Sequence, residues 1–166
     1  MSRPIHRSRS KVLWGVAVLA AVACGGERQQ ADIRGGKDVT DREDRTDFGG
    51  LAMTVTANKA VYAVAEPIAL TLRVRNSTDA PITLRFATGQ RYDFVIESAA
   101  GAEVWRWSAD RAFTQAQGAQ IAPPGWELDY NETFGGRLAP GTYRVRGLLT
   151  SVGDTLEARA EVVVRQ

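Results

Sequence analysis

Beyond residue 50, apolar and polar positions alternate with a period of two along most of the chain. In IALTLRVRN, Ile68, Leu70, Leu72 and Val74 alternate strictly with Ala69, Thr71, Arg73 and Arg75, which predicts a half-buried antiparallel strand. Leu51, Met53 and Val55 open the pattern. Ile82, Leu84 and Phe86 repeat it, followed by Tyr92, Phe94 and Ile96 in YDFVIE and by Trp105 and Trp107 in EVWRWS. Farther on, Trp126, Leu128, Tyr130 and Glu132 share a face, as do Tyr143 and Val145, and then Leu156, Ala158, Ala160 and Val162. Turn formers separate these runs at Glu66-Pro67, NSTDAP, SAAGA, Pro123-Pro124-Gly125 and Pro140-Gly141. No segment keeps a helical period over ten residues, although ADRAFTQAQ has room for one turn. Many short strands without helices predict an all-β antiparallel sandwich of about 7–8 strands.

The first 49 residues follow other rules. Residues 1–11 are basic, Val12 to Ala23 form an uncharged apolar run of twelve residues, and Cys24 follows Ala21-Val22-Ala23. A charged start, a short apolar stretch and small residues before a cleavage point make an export signal too short to span a bilayer comfortably. With Cys24 in place it resembles a bacterial lipoprotein signal, in which the cysteine is lipidated and becomes the first residue of the mature chain. A lone thiol in an exported protein otherwise has no obvious use. Ala21 departs from the Leu commonest at that position. Gly25 rather than Asp follows Cys24, so retention in an inner membrane is not signalled. From Gly25 to Gly49 the composition turns to Gly, Asp, Arg, Glu and Gln, which reads as a flexible tether spanning roughly 25–30 Å. The expected organisation is therefore a signal peptide at 1–23, a lipidated Cys24 with linker at 24–49, and a β-sandwich at 50–166. The expected location is a bacterial cell envelope, the outer membrane where the host has two.

Charge changes the picture mainly by exclusion. The formal charge of +2 falls to −2 without the first 23 residues, and residues 50–166 carry 12 charges of each sign. There is no basic stripe for nucleic acid. His6 is the only histidine and Cys24 the only cysteine, so residues 50–166 offer neither a Ser-His-Asp triad nor a His- or Cys-ligated metal site. Asp93, Glu103, Asp110 and Asp129 are scattered carboxylates that read better as solvated turns and edges than as an acid–base pair. No enzyme activity, cofactor or metal is expected. Asn76 and Asn131 stand in glycosylation sequons, ascribed to chance beside a bacterial signal.

The stretch Phe86 to Gln117 holds two of the four tryptophans and three of the five phenylalanines. Its run TGQRYDFVI, then GAEVWRWS and FTQ, resembles the BsuPI family, named for an intracellular proteinase inhibitor. The resemblance extends upstream through LTLRVRNSTDAPITLRF and downstream to LAPGTYRVRG, covering most of residues 51–166. It implies an immunoglobulin-like fold and protease inhibition, without naming a reactive residue. The family name also places its founder inside the cell, at odds with an export signal.

Trp105, Arg106, Trp107, Phe113 and Gln115 are the candidate partner-binding residues. Trp and Tyr become hot spots when a partner covers them. Each also has a plainer role. The aromatic rings can fill the core, at up to roughly 5 kcal/mol per buried Trp. Arg106 can pair with Asp93 or Glu103, Phe113 can plug its loop, and Gln115 can bond its own backbone. Two contact loops present themselves, Ser108–Gln120 and Asp129–Pro140. The functional expectation is a membrane-tethered, extracytoplasmic protein-binding domain, which the family resemblance implies to be a proteinase inhibitor with a protease as partner. The alternative is a structural or assembly module that holds an envelope protein by a sheet edge or aromatic patch. A carbohydrate binder stacking sugars on Trp105, Trp107 or Trp126 is a third reading.

Overall fold

The computed structural model describes residues 46–153 and 156–166. The signal, Cys24 and most of the linker expected from the sequence lie outside the described residues. Within them run eleven strands: β1 (Thr46–Phe48), β2 (Leu51–Ala57), β3 (Val61–Ala63), β4 (Ile68–Asn76), β5 (Ile82–Phe86), β6 (Tyr92–Ser98), β7 (Glu103–Arg106), β8 (Gly118–Ala122), β9 (Glu127–Phe134), β10 (Gly141–Leu149) and β11 (Leu156–Arg165). The pairing starts at Thr46, inside the stretch expected to be linker, because Phe48 has a core surface to pack against.

One sheet has the order β1-β2-β4-β9 and the other β3-β11-β10-β6-β7, with β5 and β8 forming a separate ribbon. All pairs are antiparallel except β3 with β11. From β1 and β2 in one sheet the chain thus crosses at β3 to the edge of the other. With β2, β4 and β9 as strands A, B and E, and β6, β10 and β11 as C, F and G, this is an immunoglobulin-like sandwich.

The alternation read in the sequence decides which residues meet between the sheets. Along β4, Ile68, Leu70, Leu72 and Val74 are buried, facing Phe94, Ile96, Val145 and Val162 in one core cluster. Gly147 of β10 sits tightly against the opposite sheet. A Cβ there would lie 2.9 Å from Leu72 Cδ1 and 3.1 Å from Val55 Cγ2. The outer face of the five-stranded sheet is closed by charge. Arg146 donates to Glu97 at 2.7 Å and to Glu157 at 2.5 Å, and Arg144 approaches Glu97 at 3.8 Å.

Asn76 is fully buried at the end of β4. Its Nδ2 donates to the carbonyls of Ala80 (2.8 Å), Ala122 (2.9 Å) and Pro123 (3.2 Å), while its Oδ1 accepts from the Thr78 amide at 2.9 Å. The sequon asparagine is therefore a structural joint between two turns, and its amide is not available to a sugar.

Candidate functional site: the loop after β7 and the ring stack beneath it

Residues 107–117 connect β7 to β8, crossing from the five-stranded sheet to the ribbon. The β6–β7 hairpin sets the start of this loop. Trp105 points inward, its ring edge-on to Phe134 of the opposite sheet at 5.2 Å and 61°. Arg106 points outward. Its Nη1 donates to Asp93 Oδ2 at 2.9 Å, and its Nε and Nη2 donate to the two Glu103 oxygens at 3.1 and 2.6 Å. The Arg106 hydrogen bond holds the Glu103 carboxyl below the usual carboxylate range.

Asp93 is the fixed point. Its side chain is only 5% exposed, and it also accepts from Ser108 Oγ at 2.6 Å and from the Ser108 amide at 3.1 Å. A buried carboxylate of this kind is tolerated only when paired and hydrogen-bonded. Asp93 therefore ties Arg106 and Ser108, the last residue of β7 and the second residue of the loop, to the middle of the sheet.

Trp107 extends the ladder by one more bond, its amide donating to the Phe94 carbonyl at 2.9 Å. Its ring stacks on Tyr92 at 4.4 Å and 27°, and Tyr92 stacks in turn on Tyr130 of β9 at 4.4 Å and 25°. Three rings thus join the two sheets. The Tyr92 hydroxyl donates to Glu132 Oε1 at 2.5 Å. Burial and then that carboxylate push the Tyr92 hydroxyl up, and burial does the same to Tyr130. Arg111 caps the stack, its guanidinium 4.2 Å from the Trp107 ring and 3.9 Å from Glu132. Trp107 Nε1 and Tyr130 Oη are buried without a hydrogen-bond partner among the described residues, so these two side chains hold the stack by ring area.

Phe113 is half-buried against Trp107, with ring centroids 5.8 Å apart, and it anchors the middle of the loop. Gln115 is exposed, and its amide reaches the Phe113 carbonyl at 3.4 Å. Thr114 to Gln117 form an exposed irregular run. One backbone bond steadies it, from the Gly89 amide to the Thr114 carbonyl at 2.8 Å. Glycines make this closure possible. A Cβ on Gly89 would sit 2.5 Å from Thr114 Oγ1, and one on Gly118 would sit 2.6 Å from Arg91 Nη2.

The five candidates from the sequence thus divide. Trp107 and Phe113 meet in the ring stack, Trp105 packs apart from it on Phe134, Arg106 is an ion-pair partner of the hairpin, and only Gln115 is fully presented to solvent. The first half of the second contact loop expected, Asp129–Pro140, is strand β9, because Asp129 to Phe134 pair with β4. Tyr92, Asp93, Tyr130, Glu132 and Arg111 complete the site: the sequence placed Tyr92, Tyr130 and Glu132 on shared strand faces and offered Asp93 to Arg106, without naming any of the five as partner-binding. The legible signal for them was Glu132, a carboxylate on the inward face of an otherwise apolar pattern.

The fold and the fixed-shouldered loop define an immunoglobulin-like sandwich that presents one long connection from its five-stranded sheet to the β5–β8 ribbon. The sequence model of BsuPI, described as intracellular proteinase inhibitor, matches residues 55–153, and the chain belongs to that family. No curated protein matches the chain. Among solved structures, the sporulation control protein of Bacillus subtilis is similar at 17% identity and a TM-score of 0.44, over 72% of this chain and 51% of that one. The chain thus spans about half the length of that protein. The C-terminal domain of Wzt is similar at 9% identity and a TM-score of 0.48, over 75% and 79%. The CARDB domain of a Pyrococcus furiosus protein is similar at 13% identity and a TM-score of 0.41, over 69% and 94%.

Proposed function

We propose that this domain is a non-catalytic inhibitor that binds an endoprotease through residues 108–117 and places Thr114–Gln117 in the protease cleft. One observation carries the reading: an exposed, irregular segment lies between two fixed shoulders. Asp93, Trp107, Phe113 and the Gly89–Thr114 bond hold one side, and β8 holds the other. An inhibitor needs such a loop, because a segment already ordered in its bound shape loses little entropy on binding and resists being drawn into productive cleavage. Family membership supports the protease as partner. The lipoprotein-like signal supports a location at a membrane surface, with the acyl chains of Cys24 as anchor.

The test is titration of the detergent-solubilised full chain against a panel of serine and metalloproteases. The expected result is stoichiometric loss of one protease's activity with the chain intact. Replacing Thr114–Gln117 by glycines should abolish inhibition while leaving thermal unfolding in place. Full protease activity in the presence of excess chain, for every member of the panel, would overturn the proposal. Mass spectrometry of the N-terminal peptide tests the anchor, expected as diacylglyceryl on Cys24.

A further inference from the structure

The four outer edges of the two main sheets are unequal. β1 and β3 have three residues each, and β7 has four, with a register shift at Ile96/Glu97. Short or bulged edges offer little to an added strand. β9 is different. Its eight residues run in unbroken antiparallel register with β4, from Glu127 opposite Arg75 to Phe134 opposite Ile68. No strand pairs with its other side among the described residues. Its sequence, ELDYNETF, contains no proline and no lysine to blunt the edge.

In an immunoglobulin-like sandwich the place outside this strand belongs to strand D. Here the preceding strand, β8, pairs with β5 instead. Every second residue of β9 therefore turns its N–H and C=O outward.

We propose that β9 is a second binding surface, which takes an extended segment of a partner protein as an added strand. The charges choose the partner. Glu127 and Asp129 stand on the outer face of β9, which carries no basic residue. Arg73, one strand inboard, pairs with Asp129 at 2.8 Å and with Glu127 at 3.4 Å, so that the negative ends of these pairs lie nearest the open edge. Side chains of a strand added outside would stand about 5 Å from those acids, where opposite charges stabilise and like charges repel. A second copy of this chain, paired antiparallel along the whole of β9, would set Glu127 against Thr133 and Asp129 against Asn131 and give the acids no charge partner. On the inner face the added strand would meet half-buried Leu128 and Tyr130, with Glu132 already engaged by Tyr92 and Arg111. The fitting segment alternates Lys or Arg on one face with apolar residues on the other.

This surface is separate from loop 107–117 and does not depend on protease inhibition. The probe is a short capped peptide alternating lysine and valine, added to the detergent-solubilised full chain and read by amide hydrogen exchange. Exchange across residues 127–134 should slow by about tenfold or more. A glutamate–valine peptide, and a lysine–valine peptide methylated on alternate backbone nitrogens, should both leave it unchanged. Glu127→Lys, at the exposed rim, should weaken the lysine peptide about two- to fivefold. No protection of β9 by the lysine peptide, or equal protection by either control, would overturn the proposal. So would protection that rises with protein concentration in the absence of peptide, because it would mean the strand pairs with its own copy.

Discussion

Arg106 Nη1 donates to the buried Asp93 Oδ2 at 2.9 Å, and the same carboxylate oxygen accepts from Ser108 Oγ at 2.6 Å. The hairpin and the loop that follows it are thus fixed by one acid. Asp93→Ala would leave the guanidinium, which is one-third exposed, with Glu103 alone, and would leave the Ser108 amide and hydroxyl without their acceptor. We expect a loss of about 2 kcal/mol in urea unfolding. Faster proteolysis between Trp107 and Phe113 should accompany it.

Gly147 measures how close the sheets stand. With Leu72 Cδ1 2.9 Å from where a Cβ would be, Gly147→Val forces the strands apart or the leucine off its rotamer. The expected cost is about 1–3 kcal/mol, read as a lower urea midpoint with the spectroscopic signature of β structure retained.

Ala65 carries the opposite sign. It is the non-glycine residue with positive φ, at 68°, in the turn between β3 and β4. Ala65→Gly removes the clash of its Cβ in that region, and a gain of up to about 1 kcal/mol is expected from thermal unfolding.

Acid should weaken the fold. The hydrogen bonds from Arg73 and Arg106 hold Asp129 and Glu103 below the usual carboxylate range. A depressed folded-state pKa stabilises above the unfolded-state value, and that stabilisation is lost as pH falls through the folded-state value. Unfolding midpoints should therefore be flat near neutrality and fall below about pH 4. The double variant Asp129→Asn, Glu103→Gln should show a shallower fall.

Much of the sandwich was legible in the chain. The strict alternation in IALTLRVRN reappears as the buried and exposed faces of β4, and the turn formers mark where strands end. These are local properties, because side-chain direction in a strand depends only on parity. The family, too, was legible, because its aromatic motifs are contiguous in sequence. By contrast, Phe48 was hidden in a charged stretch, and its strand exists only because β2 is there to pair with it.

Tertiary structure decided the rest. Parity places Tyr92 and Tyr130 inward, but only the packing of the two sheets makes them stack and sets Glu132 against the Tyr92 hydroxyl. Arg106 had two carboxylates within reach of the hairpin and took both. The crossing of β8 to β5, which leaves β9 open, joins residues 32–40 positions apart and has no local signature. Sequence alone determined which residues turn inward, through a period that each strand carries by itself. The partners they find depend on which strands become neighbours, a choice made by the burial of the whole set at once.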